Sequence, residues 1–125
     1  MLETPAEICR CIFDSLALRY RQVFEWLKEF ASFDINVLHI IGGGSLNKYL
    51  NQFTASSIGT TVLAGPQEGT AIGNIMLQAK AAGLVNDIWE MRQIIANSLE
   101  LVKYEPADKA AWDQAFEKYL RITNK

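Results

Sequence analysis

The residues whose types and spacing could do chemistry are Gly42, Gly43, Gly44, Ser45 and Asn47, in the run Ile40-Ile41-Gly42-Gly43-Gly44-Ser45-Leu46-Asn47. An apolar run, a glycine turn and a helical pattern follow one another here. That order builds a nucleotide cradle. Glycines let the backbone come close to a phosphate or a sugar, and the helix that follows aims unpaired N–H groups and the positive end of its dipole at the anion. Two well-known forms of the cradle are excluded. A dinucleotide fingerprint requires glycine at its sixth position, where Asn47 stands, and a phosphate loop requires Lys-Ser or Lys-Thr after the last glycine, where Ser45-Leu46 stand. The same three glycines also suit a tight turn with close packing and no ligand.

No other group of residues reads as a catalytic pairing. The acids are scattered over helix surfaces, and His39 stands alone inside an apolar run, the setting of a satisfied core or edge histidine. Cys9 and Cys11 are the only cysteines. Two positions apart on a helix they point roughly 200° from one another, so they cannot pair with each other. With a single histidine elsewhere they make no zinc site, and they read as two small core or surface thiols.

The elements that must position the turn follow from local signals. Thr4-Pro5-Ala6-Glu7 combines an N-cap, a proline at the first helical position and a capping box. The apolar positions Ile8, Ile12, Leu16, Val23, Leu27 and Phe30 then recur at helical steps, which predicts one long helix over 5–31 with that stripe as its buried face. Phe24, Trp26 and Phe33 read as further core bulk. Ile35 to Ile41 is nearly continuously apolar and β-branched, the pattern of a central parallel strand covered on both faces. A helix over 45–57 follows, with Leu46, Tyr49, Leu50 and Phe53 as its apolar face, and Gly59 ends it as a left-handed cap. A second strand over 60–64 closes at Gly65-Pro66. Helices are predicted over 70–82, with Gly73 explained by close backbone packing, and over 88–98 behind Asp87-Ile88-Trp89-Glu90. An extended stretch over 101–104 and a last helix capped by Asp108, with Trp112, Phe116, Tyr119 and Leu120 as its stripe, complete the chain. The fold class is α/β, a small parallel sheet flanked by helices, and two strands joined by one helix imply a parallel pair. There is no internal repeat, low-complexity tract or linker.

Composition bounds the rest. The chain has 125 residues, one domain's worth. Half of it is hydrophobic and 21% is charged, which argues against intrinsic disorder. A net charge of −2 gives no sign of the basic face that nucleic acid requires. No stretch reaches the roughly 18 apolar residues of a membrane span, and the acid in Met1-Leu2-Glu3-Thr4-Pro5 stands where a leader would be basic. A soluble, cytoplasmic protein is expected, with no nucleic-acid or membrane partner.

Four motifs in order carry a resemblance. Ile41-Gly42-Gly43-Gly44-Ser45-x-Asn47-x-x-Leu50-Asn51-Gln52-Phe53-Thr54-Ala55 resembles the nucleotide loop in the second domain of the FGGY carbohydrate kinases. Val62-x-Ala64-Gly65-Pro66-x-Glu68-x-Thr70-Ala71-x-Gly73-Asn74 resembles the next segment of that family. Arg10 to Leu18, together with Arg92-Gln93-Ile94-Ile95 and Tyr104-x-Pro106, is similar to the branch that phosphorylates L-rhamnulose. The resemblance covers about residues 4 to 106. One departure is visible: the acid that usually follows Thr54-Ala55 is replaced by Ser56 and Ser57.

The resemblance implies a piece of an actin-like, ribonuclease-H-like sugar-kinase second domain, here a single partial domain over 1–125. It implies Mg-ATP as co-substrate, with Gly42, Gly43, Gly44 and Ser45 forming the nucleotide loop and Asn47 beside the adenine. The catalytic aspartate, the sugar-binding residues and the first phosphate loop of the family are expected in an N-terminal kinase portion that is not part of these residues. Inactivity of the chain alone, association with that portion, and a homo-oligomer formed through exposed strand edges and apolar surface are therefore expected. The alternative is a non-enzymatic oligomeric module built from a kinase segment.

Overall fold

The computed structural model describes residues 3–123; Met1 and Leu2, on which the leader expectation partly rests, lie outside them. Helix α1 spans Pro5–Phe30. It starts as the capping box requires: the Glu7 amide donates to Thr4 Oγ1 at 3.2 Å, and the Glu7 carboxylate accepts from the Thr4 amide at 3.0 Å. Strand β1 (Val37–Ile40) follows, then a 3-10 turn at Gly43–Leu46 and helix α2 (Lys48–Ile58). Strand β2 (Thr61–Ala64), helices α3 (Gly69–Ala81) and α4 (Ile88–Ser98), strand β3 (Val102–Tyr104) and helix α5 (Lys109–Thr123) complete the order. Gly59 ends α2 with φ 68°, in the left-handed cap expected of it.

The sheet is mixed, in the order β1-β2-β3. β1 and β2 run parallel with Val37 opposite Thr61, as one intervening helix requires. β3 joins β2 antiparallel, with Val62 opposite Tyr104. β2 is therefore the central strand. β1 is an edge, and this corrects the expectation of a strand covered on both faces: Val37, His39 and Ile41 are exposed while Leu38 and Ile40 turn inward. Only one face of the sheet at β1 meets helices, so only every second side chain of the run is covered.

That covered face is the main core. Phe24 of α1, Ala55 and Ile58 of α2 and Val62 of β2 are buried together, flanked by Ile35, Leu38, Ile40 and Tyr104. A second cluster joins Ala17 and Leu18 of α1 to Trp112 of α5, flanked by Phe53 and Phe116. A third, of Met76, Val85 and Met91, holds α3 to α4.

The helix faces are the main correction. α1 does not bury its apolar stripe: Ile8 is 46% exposed, Ile12 51%, Leu27 52% and Phe30 86%. It buries Ala17, Leu18, Gln22 and Phe24 instead. Trp26 and Phe33 are likewise exposed rather than core. α2 leaves Leu46 (in the turn before it) and Tyr49 outside and buries Asn51, Thr54, Ala55, Ser56, Ser57 and Ile58. The reason is fit. Small residues let two helices approach closely, and Ala17 faces the small stretch of α2 closely enough for Ser57 Oγ to donate to the Ala17 carbonyl at 2.9 Å. Thr54 Oγ1 donates to its own Leu50 carbonyl, so the buried hydroxyls are satisfied. Gly73 is the remaining difference: nothing lies within 4 Å of where its Cβ would stand, so close packing does not explain it.

Candidate nucleotide-binding turn

The glycines sit where a parallel strand ends and a helix begins, but the helix begins later than expected. Gly43–Leu46 wind as a 3-10 turn, and α2 proper opens at Lys48. Gly42 makes the bend, with φ 78° and ψ −166°, a backbone conformation that is essentially glycine's alone. Its amide donates to the Pro66 carbonyl at 3.1 Å, and the Gly65 amide donates to the Ile40 carbonyl at 2.7 Å. The ends of β1 and β2 are thus tied, and the turn lies beside the chain that leads into α3. Ile41 reaches the same place, since a Cβ on Gly69 would meet its side chain at 3.8 Å.

Ser45 is buried and serves the turn from within. Its amide donates to the Gly42 carbonyl at 3.0 Å and its hydroxyl to the same oxygen at 2.7 Å. The Asn47 amide donates to the Gly44 carbonyl at 3.1 Å. These amides close the turn and are not free for a ligand. The amides of Gly43 and Gly44 have no backbone partner among the described residues. Both glycines are exposed, and no atom of the described residues lies within 4 Å of the Cβ position of Gly42, Gly43 or Gly44. A side chain at Gly43 or Gly44 would therefore stand in open space that a ligand could otherwise take, and the donors beside it suit an anion or a ribose hydroxyl.

Asn47 is half-buried and caps α2: its Oδ1 accepts from the Leu50 amide at 3.1 Å. The cap uses Oδ1, so the two Nδ2 hydrogens take no part in it. Asn51 supports the turn from beneath, and reading the sequence assigned it no role. It is 1% exposed, and its Nδ2 donates to the Ser45 carbonyl at 2.9 Å. Its Oδ1 has no partner among the described residues. Its spacing one turn after Asn47 is in the sequence, but only the structure shows that this side of α2 is the buried one.

Hydrogen bonds hold the Glu7, Glu105 and Asp113 carboxyls below their usual range, and all three lie away from the turn. His39 is on the exposed side of β1, Cys9 and Cys11 are exposed free thiols, and no group of three metal-ligating side chains occurs among the described residues. No helix among them is long and apolar enough to cross a membrane.

Comparison with known proteins bears on the family of the chain. The chain is 55% identical over 114 residues to a rhamnulokinase of Bacteroides thetaiotaomicron, which covers 91% of this chain and 24% of that protein. It is 41% identical over 102 residues to a rhamnulokinase of Oceanobacillus iheyensis, covering 82% of this chain and 22% of that protein. A rhamnulokinase of Pectobacterium atrosepticum is 46% identical over 104 residues. The chain thus spans about a quarter of the length of these curated relatives, or slightly less. Residues 1–82, which hold α1, β1, the glycine turn, α2, β2 and α3, match the C-terminal domain of the FGGY family of carbohydrate kinases, and the chain belongs to that family.

Proposed function

We propose that the chain is the nucleotide-facing C-terminal segment of an ATP-dependent kinase that converts L-rhamnulose to L-rhamnulose 1-phosphate in rhamnose catabolism. One observation carries the nucleotide part: the exposed amides of Gly43 and Gly44 beside unfilled space at the end of a parallel strand. The similarity to rhamnulokinases supports the substrate. In this reading Gly43 and Gly44 take phosphate or ribose oxygens, Asn47 lies beside the adenine, and Gly42 and Ser45 shape the turn that presents them. Mg²⁺ bound to the nucleotide neutralises phosphate charge during transfer. A cytoplasmic location accords with that metabolism.

The chain alone is proposed to be inactive. Phosphoryl transfer needs a carboxylate to accept the hydroxyl proton and a second wall to align the attack and exclude water. Both belong, in this reading, to kinase sequence that the chain does not match. Calorimetric titration of ATP with and without Mg²⁺, on the chain and on Gly43→Val, tests the site: weak binding that the variant loses is expected, and equal heats from both proteins sink it. A coupled assay with L-rhamnulose is expected to give no turnover, and activity that tracks the purified chain overturns that part.

A second reading, a non-enzymatic oligomeric module, is supported by one observation, the exposed stripe of α1. Sedimentation over micromolar concentrations separates the two readings only in part, since a kinase segment with such a face also self-associates. Loss of all nucleotide binding with retention of a defined oligomer favours the second.

A further inference from the structure

Val62, Asn51, Thr54 and Ser57 are the largest side chains that are fully buried. Three of them are accounted for. Val62 is apolar and lies in the main core. Thr54 Oγ1 donates to the Leu50 carbonyl at 2.7 Å, and Ser57 Oγ donates to the Ala17 carbonyl at 2.9 Å. Asn51 is the exception. Its Nδ2 donates to the Ser45 carbonyl at 2.9 Å, but its Oδ1 has no partner among the described residues. A buried acceptor without a donor loses its hydration and gains nothing in exchange, which is destabilising. Stability alone is therefore a poor reason for a carboxamide here, and the one bond it makes shows what else it does.

That bond leads into the glycine turn. Ser45 uses its amide and its hydroxyl on the Gly42 carbonyl, at 3.0 and 2.7 Å, and Asn51 holds the Ser45 carbonyl. Both peptide groups of Ser45 are thereby fixed, one from the turn and one from α2. Asn51 is a firm base for this, because α2 is seated in the main core by Ala55 and Ile58. Gly43 and Gly44 have no side chain to hold them, and their amides have no backbone partner among the described residues. Their anchors are the residues on either side: Gly42, tied to the Pro66 carbonyl, and Ser45, tied to Asn51.

We propose that Asn51 is a positioning residue for the nucleotide turn: through Ser45 it holds the Gly43 and Gly44 amides where they meet a phosphate or ribose oxygen. The ligand in this statement rests on the nucleotide reading of the turn, whereas the positioning rests on the hydrogen-bond chain alone. Asn51 itself is buried beneath the turn and does not touch the ligand. Donors fixed in advance bind an anion without first having to be ordered. Stronger binding of this kind is the reason to keep a group that stability disfavours.

The test uses the chain itself, with Asn51→Leu, Asn51→Ala and, as a control, Ser57→Ala. Each protein is followed by urea unfolding, by amide exchange without nucleotide and by titration with Mg-ATP. For Asn51→Leu the urea midpoint is expected at or above that of the unaltered chain. The partnerless acceptor is gone, and the freed Ser45 carbonyl meets water as the turn opens. The Ser45 and Asn47 amides, which close the turn, are expected to exchange roughly fivefold faster or more, about what one net hydrogen bond contributes. ATP binding is expected to weaken by a similar factor, while the Gly59 amide at the end of α2 keeps its rate. Ser57→Ala is expected to do the reverse, lowering the midpoint and leaving the turn unchanged. Unaltered exchange at Ser45 and Asn47 in both Asn51 variants overturns the proposal. So does a lowered midpoint with faster exchange throughout α2, which would make Asn51 a structural residue only, and so does failure of both variants to fold. Full ATP affinity in Asn51→Leu also overturns it. If none of the proteins takes ATP while the turn loosens in Asn51→Leu, the nucleotide reading fails and the positioning by Asn51 stands.

Discussion

Gly42 and Gly43 are adjacent glycines with different duties. Gly42 holds φ 78° and ψ −166°, so Gly42→Ala is expected to cost about 1–3 kcal/mol from backbone strain alone, since its Cβ would meet nothing. Gly43 has no positive φ and equally open surroundings, so Gly43→Ala is expected to shift stability by less than about 0.5 kcal/mol, in the range of a surface change. Urea unfolding of both variants checks the contrast, and equal losses would mean that the turn is not held as described. Gly73 lies within α3 with free space at its Cβ. Gly73→Ala is therefore expected to stabilise by about 0.5–1 kcal/mol, the usual gain of alanine over glycine in a helix, and a lowered thermal midpoint would refute this. Asn47→Ala is expected to cost about 1 kcal/mol as a lost N-cap, even in the absence of any nucleotide. Its effect on ATP affinity is thus readable only against its effect on stability.

At the scale of elements, α5 is held to α1 by an ion pair, by a hydrogen bond from the Tyr119 hydroxyl to Gln22 Oε1 at 3.2 Å and by an apolar contact. Arg21 of α1 bonds Asp113 at 2.8 Å and stacks on Phe116, while Trp112 packs beside Leu18. Hydrogen bonds from Lys109 and then Arg21 hold the Asp113 carboxyl below its usual range. A depressed carboxylate contributes stability above its unfolded value and loses it as pH falls through that value and below it. Asp113→Asn is therefore expected to lower the thermal midpoint at about pH 7 and to narrow the difference between about pH 7 and about pH 3, on either side of the ordinary aspartate value. An unchanged acid limb in the variant would remove Asp113 from the account of α5. Glu7, held low by hydrogen bonds from the Glu3 and Thr4 amides, acts in the same direction at the start of α1.

At the scale of the molecule, exposed apolar surface decides behaviour in solution. Ile8, Ile12, Leu27 and Phe30 line one side of α1, and Ile41 and Leu46 are 61% and 62% exposed near the glycine turn. Large apolar patches of this kind drive association. The isolated chain is expected to self-associate with rising concentration, and Leu16→Lys with Leu27→Lys to shift it toward the monomer while its helical circular dichroism is retained. A wild-type chain that sediments as a monomer throughout the micromolar range would contradict this.

Local signals were enough for the elements and for the position of the turn. Thr4-Pro5-Ala6-Glu7 starts α1, Gly59 stops α2, and Gly83 stands just beyond α3 with φ 74°, because caps and left-handed stops act within a few residues of chain. The glycines at the end of β1 were legible for the same reason, as were the family and the parallel pair. Only the tertiary structure decided which faces are buried. The stripe of Ile8, Ile12, Leu16, Val23, Leu27 and Phe30 is periodic enough to be a core, yet burial depends on what lies opposite, and opposite α1 lie α2 and α5, met by Ala17, Leu18 and Phe24. It also decided that β1 is an edge, that β3 runs antiparallel, that Ser45 and the Asn47 amide are spent closing the turn, and that Asn51 bonds the Ser45 carbonyl beneath it. Those outcomes are set by contacts between distant segments and by the pairing of each donor with one acceptor, which no local pattern encodes.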